Sequence, residues 1–117
     1  MCDHTQDNES YMNDLSNKKC IPCEGKVKPY EKDDAVELLE QVPGWDLQDT
    51  YITRTYTCSD FKEAMQFVNK VADIAEAEDH HPDITIMYNK VTLTLTTHAI
   101  NGLSENDFIL AAKIDAS

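Results

Sequence analysis

Apolar positions along the chain change period several times, and each change predicts an element. Ala35, Leu38, Leu39 and Val42 recur at i, i+3, i+4 and i+7, one face of a helix that Pro43-Gly44 ends. Trp45 to Thr57 is rich in Tyr, Ile and Thr and reads as two short strands, with Gln48-Asp49 or a neighbouring pair as the turn. Phe61, Ala64, Met65, Val68, Val71, Ala72 and Ala75 then form a stripe at helical spacing. Asp60 with Glu63 is a capping-box pattern at its start, and the helix is expected to run to about Ala77. The period drops to two at Ile84 and Ile86, and again at Val91, Leu93 and Leu95. Such alternation marks half-buried strands, and the Tyr88-Asn89-Lys90 break makes them a hairpin. Ser104 as N-cap, Asp107 three residues on, and Leu103 with Phe108 as a hydrophobic staple announce a last helix. The order is α-β-β-α-β-β-α. It predicts a two-layer α+β domain, with one antiparallel sheet of four strands and helices packed on one face.

This pattern begins only at Tyr30. Residues 1–19 are rich in Asp, Asn, Ser and Lys, and residues 20–29 read as an irregular lead-in. Residues 1–29 are therefore expected to be a flexible polar segment, and 30–117 the folded domain. The leader contains Cys20-Ile21-Pro22-Cys23, a CxxC. It could join Cys2 and His4 around zinc, but a thioredoxin-like use needs a preceding strand and a following helix that its flanks do not supply. The first residues are polar and acidic, unlike a secretory signal, and Cys at position 2 rules out N-myristoylation. A soluble cytoplasmic protein is the expectation, in which the four cysteines, Cys2, Cys20, Cys23 and Cys58, form no disulfide framework and the CxxC thiols of the leader are reduced.

Charge narrows the partners. The net charge is −12, from 10 basic and 22 acidic residues. Residues 1–29 contribute only −1 of this, so the excess belongs to the folded part. Nucleic acid would need a basic footprint, and an anionic membrane surface is disfavoured for the same reason. A small neutral or cationic ligand, or a protein partner, fits better.

Three of the four histidines lie in Asp79-His80-His81-Pro82 and Thr97-His98. Imidazole titrates nearest working pH, so it can both give and take a proton. Pro82 biases His81 toward extended backbone and places the pair in the connection from the long helix to the hairpin. In an antiparallel hairpin the start of the first strand lies beside the end of the second. His98, read as a strand-end residue with the parity of Thr92, Thr94 and Thr96, should therefore meet His80 and His81 at one sheet end. The pattern leaves three readings: an acid–base site, a zinc site, or histidines that cap a helix C-terminus where a cation is favoured. Glu76, Glu78 and Asp79 crowd that same terminus, where negative charge is disfavoured. Asp107 is accounted for as a helix cap and could also face the site.

Taken together, Glu76-x-x-Asp79-His80-His81-Pro82, Tyr88-Asn89-Lys90-Val91, Thr97-His98 and Gly102-Leu103-Ser104-x-x-Asp107 resemble the pterin-4a-carbinolamine dehydratase family. The likeness extends back through Phe61–Ala77 and Pro43-Gly44-Trp45, and the CxxC segment is similar to the leader of microbial members. The resemblance implies dehydration of 4a-hydroxytetrahydropterin to quinonoid dihydropterin, in the recycling of tetrahydrobiopterin for aromatic amino acid hydroxylases. It implies His80, His98 and His81 as catalytic residues, and Glu76, Asp79, His81, Pro82, Thr97 and Asp107 as substrate-binding residues. It implies neither metal nor organic cofactor, and a homodimer or homotetramer. Some relatives are instead known as dimerisation cofactors of a transcription factor, or are linked to molybdenum-cofactor metabolism. One departure is visible: Ile84 stands where some relatives carry an aromatic residue.

Overall fold

The computed structural model describes residues 30–117. The CxxC, Cys2 and His4, and with them the expectation of a flexible leader, lie outside the described residues. The elements are α1 (Lys32–Leu39), β1 (Asp46–Leu47), β2 (Ile52–Thr57), α2 (Phe61–Glu78), β3 (Asp83–Met87), β4 (Lys90–Leu95), a 3-10 turn (His98–Ile100) and α3 (Glu105–Ala116). The strands form one antiparallel sheet in the order β1-β2-β4-β3. This is the α+β arrangement and element order expected from the periodicity.

Register follows from alternation. Tyr56 pairs with Val91 and Val91 with Ile86, while Arg54 pairs with Leu93 and Leu93 with Ile84. A slip of one residue would turn these side chains to the opposite face. Ile52, Tyr56, Val91, Leu93 and Leu95 are fully buried and share one core with Ala64, Phe67 and Val71 of α2 and Phe108, Ile109 and Leu110 of α3. The opposite face carries threonines paired across strands. Thr55 Oγ1 lies 2.9 Å from Thr92 Oγ1, and Thr53 Oγ1 lies 3.2 Å from Thr94 Oγ1.

Helix ends carry the chemistry that the sequence announced. Asp60 accepts a hydrogen bond from Glu63 N at 2.8 Å. Glu63 reaches back to Ser59 N rather than to Asp60 N, so the reciprocal contact falls one residue early. At α3 the box closes fully: Ser104 Oγ accepts from Asn106 N, and Asp107 Oδ2 accepts from Ser104 N. Regular α1 stops at Leu39, three residues before Val42. Tighter bonds from Gln41 N to Leu38 O and from Val42 N to Leu39 O finish the turn and still bury Val42 completely.

Two expectations are corrected. β4 ends at Leu95, so His98 is not a strand residue. The chain closes on itself there, with a bridge between Thr97 and Gly102, and His98 opens the 3-10 turn that Asn101 ends at φ 54°. Burial nevertheless keeps its alternation through this bend: Thr97 is buried and His98 exposed. Cys58 is not a reduced thiol. It is buried and disulfide-bonded, in a chain whose other cysteines all lie outside the described residues.

Candidate active site

The end of α2 and the start of α3 bring the central pair together. Asp79 terminates α2 in the left-handed region at φ 55°, a conformation Asp tolerates better than most residues. Its N–H and that of His80 both reach Ala75 O. This reversal turns His80 inward, where its Nε2 lies 2.6 Å from Asp107 Oδ1. The His80 side chain retains 12% exposure and that of Asp107 none.

A buried carboxylate needs its lone pairs satisfied. Asp107 Oδ2 accepts from Thr97 Oγ1 at 2.8 Å and from Ser104 N at 3.0 Å. Its position in the first turn of α3 also sets the charge at the favourable end of the helix dipole. Asp107 thus does both things the sequence left open: it caps α3 and faces His80. An ionised carboxylate only accepts, so neutral His80 must carry its proton on Nε2, which leaves the Nδ1 lone pair unbound. A ring held this way can take a proton at Nδ1 and return it, with Asp107 balancing the positive charge meanwhile.

His81 makes a separate pair. Its Nε2 is 2.6 Å from Glu76 Oε2, and both side chains are largely exposed. Glu76 and Glu78, unfavourable at the end of α2 by the dipole alone, therefore each have a partner: His81 for Glu76, and Lys113 of α3, at 3.6 Å, for Glu78. Asp79 is exposed and Pro82 half-buried in the connection to β3. His98 is exposed, with no side-chain hydrogen bond among the described residues. Its chain neighbour Thr97 donates its side-chain hydroxyl to the carboxylate that holds His80.

Ser104 is the member that sequence reasoning assigned to the helix cap alone. Its Oγ lies 2.8 Å from Thr97 Oγ1, so the cap and the candidate site are one network. Its place three residues before Asp107 was the available signal. Among the described residues no group of three His, Cys, Asp or Glu side chains is placed to hold a metal ion. None of their helices is long and apolar enough to cross a membrane.

The family model described as Pterin 4 alpha carbinolamine dehydratase matches residues 28–117. The chain belongs to the pterin-4a-carbinolamine dehydratase family. Relatives named for pterin-4-alpha-carbinolamine dehydratase include one from Nitrosomonas eutropha, 52% identical over 103 residues, covering 87% of this chain and 91% of the relative. Another, from Nitrosospira multiformis, is 47% identical over 107 residues, covering 92% of this chain and 95% of its own. Among solved structures, the transcriptional coactivator/pterin dehydratase from Brucella melitensis superposes with a TM-score of 0.72 at 36% identity, covering 76% of this chain and 97% of its own. A pterin dehydratase-like RuBisCO assembly factor of the alpha-carboxysome shares the fold, at a TM-score of 0.54 and 21% identity. The motifs from Glu76 to Asp107 that carried the resemblance fall within the matched residues of this family member, the His80–Asp107 pair included, whereas the CxxC segment lies before them.

Proposed function

We propose that this chain dehydrates 4a-hydroxytetrahydropterin to quinonoid dihydropterin and water, by proton transfer through His80 and His98. The observation that carries the reading is the buried His80–Asp107 pair in a member of a family named for this reaction. The C4a–O bond breaks and the hydroxyl leaves as water after taking one proton. The N5–H bond gives up its proton as the N5=C4a double bond forms. One group must therefore donate and another accept, and two imidazoles of opposite protonation suit both tasks. His80, with Nδ1 unbound, is suited to accept or return a proton, and exposed His98 can exchange its own with water.

In this reading His81, braced by Glu76, binds and orients the pterin. Asp79, Pro82 and the backbone at Thr97 shape the substrate end, while the Thr97 hydroxyl is committed to Asp107, which holds His80. Only proton transfers are called for, so the reading assigns no metal and no organic cofactor. The product re-enters tetrahydrobiopterin recycling for an aromatic amino acid hydroxylase. Residues 30–117 are the catalytic domain. A homodimer or homotetramer in the cytoplasm completes the proposal; β3, an edge strand of the sheet, offers unpaired backbone for strand pairing. The Cys58 disulfide runs against a reducing compartment, so counting free thiols in protein alkylated inside intact cells tests the location.

A second reading is a non-catalytic dimerisation module that binds a protein partner such as a transcription factor. The coactivator part of the Brucella melitensis relative's title is what favours it. Dehydration of 4a-hydroxytetrahydropterin, measured above its spontaneous rate, separates the two. Acceleration that is lost in His80→Ala and His98→Ala supports the enzyme, and an unaccelerated reaction supports the module.

A further inference from the structure

The hydrogen bonds behind Asp107 have a direction that can be worked out. Thr97 Oγ1 has one proton, and the Asp107 carboxylate accepts only, so Thr97 donates to Oδ2. Thr97 Oγ1 must then accept from Ser104 Oγ, 2.8 Å away. Ser104 Oγ in turn accepts from Asn106 N. The chain therefore runs one way, from the first turn of α3 through two hydroxyls to one carboxylate oxygen. Every side chain in it is buried, with Thr97 at 4%, Ser104 at 5% and Asp107 at 0% exposure, so no water can replace a missing donor.

Capping alone does not need Thr97. The cap of α3 is complete with Ser104 N on Asp107 Oδ2 and Asn106 N on Ser104 Oγ. Thr97 adds a second donor to Oδ2, which fixes the rotation of the carboxylate and leaves Oδ1 to His80.

We propose that Thr97 and Ser104 are positioning residues, which act through Asp107 to hold His80 as its Nε2–H tautomer with Nδ1 presented to the substrate. The proposal rests on the dehydratase reading for its effect on rate, but its structural half stands on the network alone. Thr97 in this account uses its side chain inward, and the Ser104–Thr97–Asp107–His80 chain links the N-terminus of α3 to the proton-transfer group. A loosened carboxylate rotates, the imidazole follows, and Nδ1 leaves the line of transfer. A shift of that kind costs about tenfold to a hundredfold in rate without touching substrate affinity.

The test compares Thr97→Val, which keeps shape and removes the donor, with Thr97→Ser, which restores it. Ring 15N resonances of His80 in the ligand-free protein read the tautomer directly. The wild type and Thr97→Ser are expected to show Nε2–H alone, and Thr97→Val a mixture with Nδ1–H. The kcat of Thr97→Val is expected to fall about tenfold or more with KM unchanged, and Thr97→Ser to recover it. An unaltered tautomer and kcat in Thr97→Val overturn the proposal, as does a loss that Thr97→Ser fails to rescue. Should Thr97→Val not fold, the wild-type spectrum still decides, because an Nδ1–H His80 contradicts the network's direction. A wild type that shows the Nε2–H signature but no acceleration of dehydration defeats the functional reading and leaves the positioning of His80 standing.

Discussion

His80 and Asp107 stand 27 residues apart in the chain and meet at 2.6 Å, Nε2 to Oδ1. One is delivered by the left-handed end of α2, the other by the capping box of α3. Asp107→Asn should keep the fold, since an amide oxygen can still serve the cap. Its NH₂ would then face His80 and force the ring proton to Nδ1, the wrong tautomer for transfer. A loss of about 10²–10⁴-fold in kcat is expected, with a circular dichroism spectrum like the wild type.

The Glu76–His81 pair should behave differently. Both side chains are more than half exposed, so water screens them and the pair adds little to stability. Glu76→Gln is expected to change unfolding free energy by less than about 1 kcal/mol in urea titrations, while raising KM through a less ordered His81.

Gly44 is required by a close approach. A Cβ there would collide with the guanidinium of Arg54. That group cannot simply swing aside, because Nη1 is 3.2 Å from Asp115 Oδ1 and Cζ lies 4.7 Å from the Tyr56 ring centre. Gly44→Ala should cost about 1–3 kcal/mol in chemical denaturation. The cost should shrink in an Arg54→Ala background, a coupling that a double-mutant cycle measures.

Tyr56 gives an alkaline signature. Burial, then the adjacent Asp115 carboxylate that its hydroxyl donates to, hold its phenol well above the usual range. The folded state therefore keeps the proton where the unfolded state, with a phenol near pH 10, releases it. The contribution is whole below about pH 10 and is lost as pH rises above it. Wild-type stability should fall there by about 1.4 kcal/mol per pH unit more steeply than that of Tyr56→Phe. Parallel slopes in urea titrations from pH 9 to 11 would contradict this.

What the sequence made legible depended on periodicity. The long helix and the hairpin follow from stripes and alternation that burial enforces, as at Val71, Val91 and Leu93. Parity also placed His98 on the face opposite Val91, Leu93 and Leu95. The bend after Leu95 was hidden, because alternation survives a turn closed by the Thr97–Gly102 bridge. Ser104 looked complete as a cap, and only three dimensions put its hydroxyl against Thr97. The same holds for Trp45, Arg54 and Tyr56, which converge on Asp115 from positions 59 to 70 residues away. No local pattern encodes contacts of that range. Cys58 read as one thiol among four, and its bond has no signature in spacing.

The most direct measurement is the loss of water from 4a-hydroxytetrahydropterin, followed with wild type, His80→Ala, His98→Ala and no protein. The account predicts that the wild type accelerates dehydration well beyond the spontaneous rate and that each substitution removes about 10²-fold or more of that acceleration in a folded protein. Wild-type rates in both variants, or no acceleration by the wild type, would contradict it.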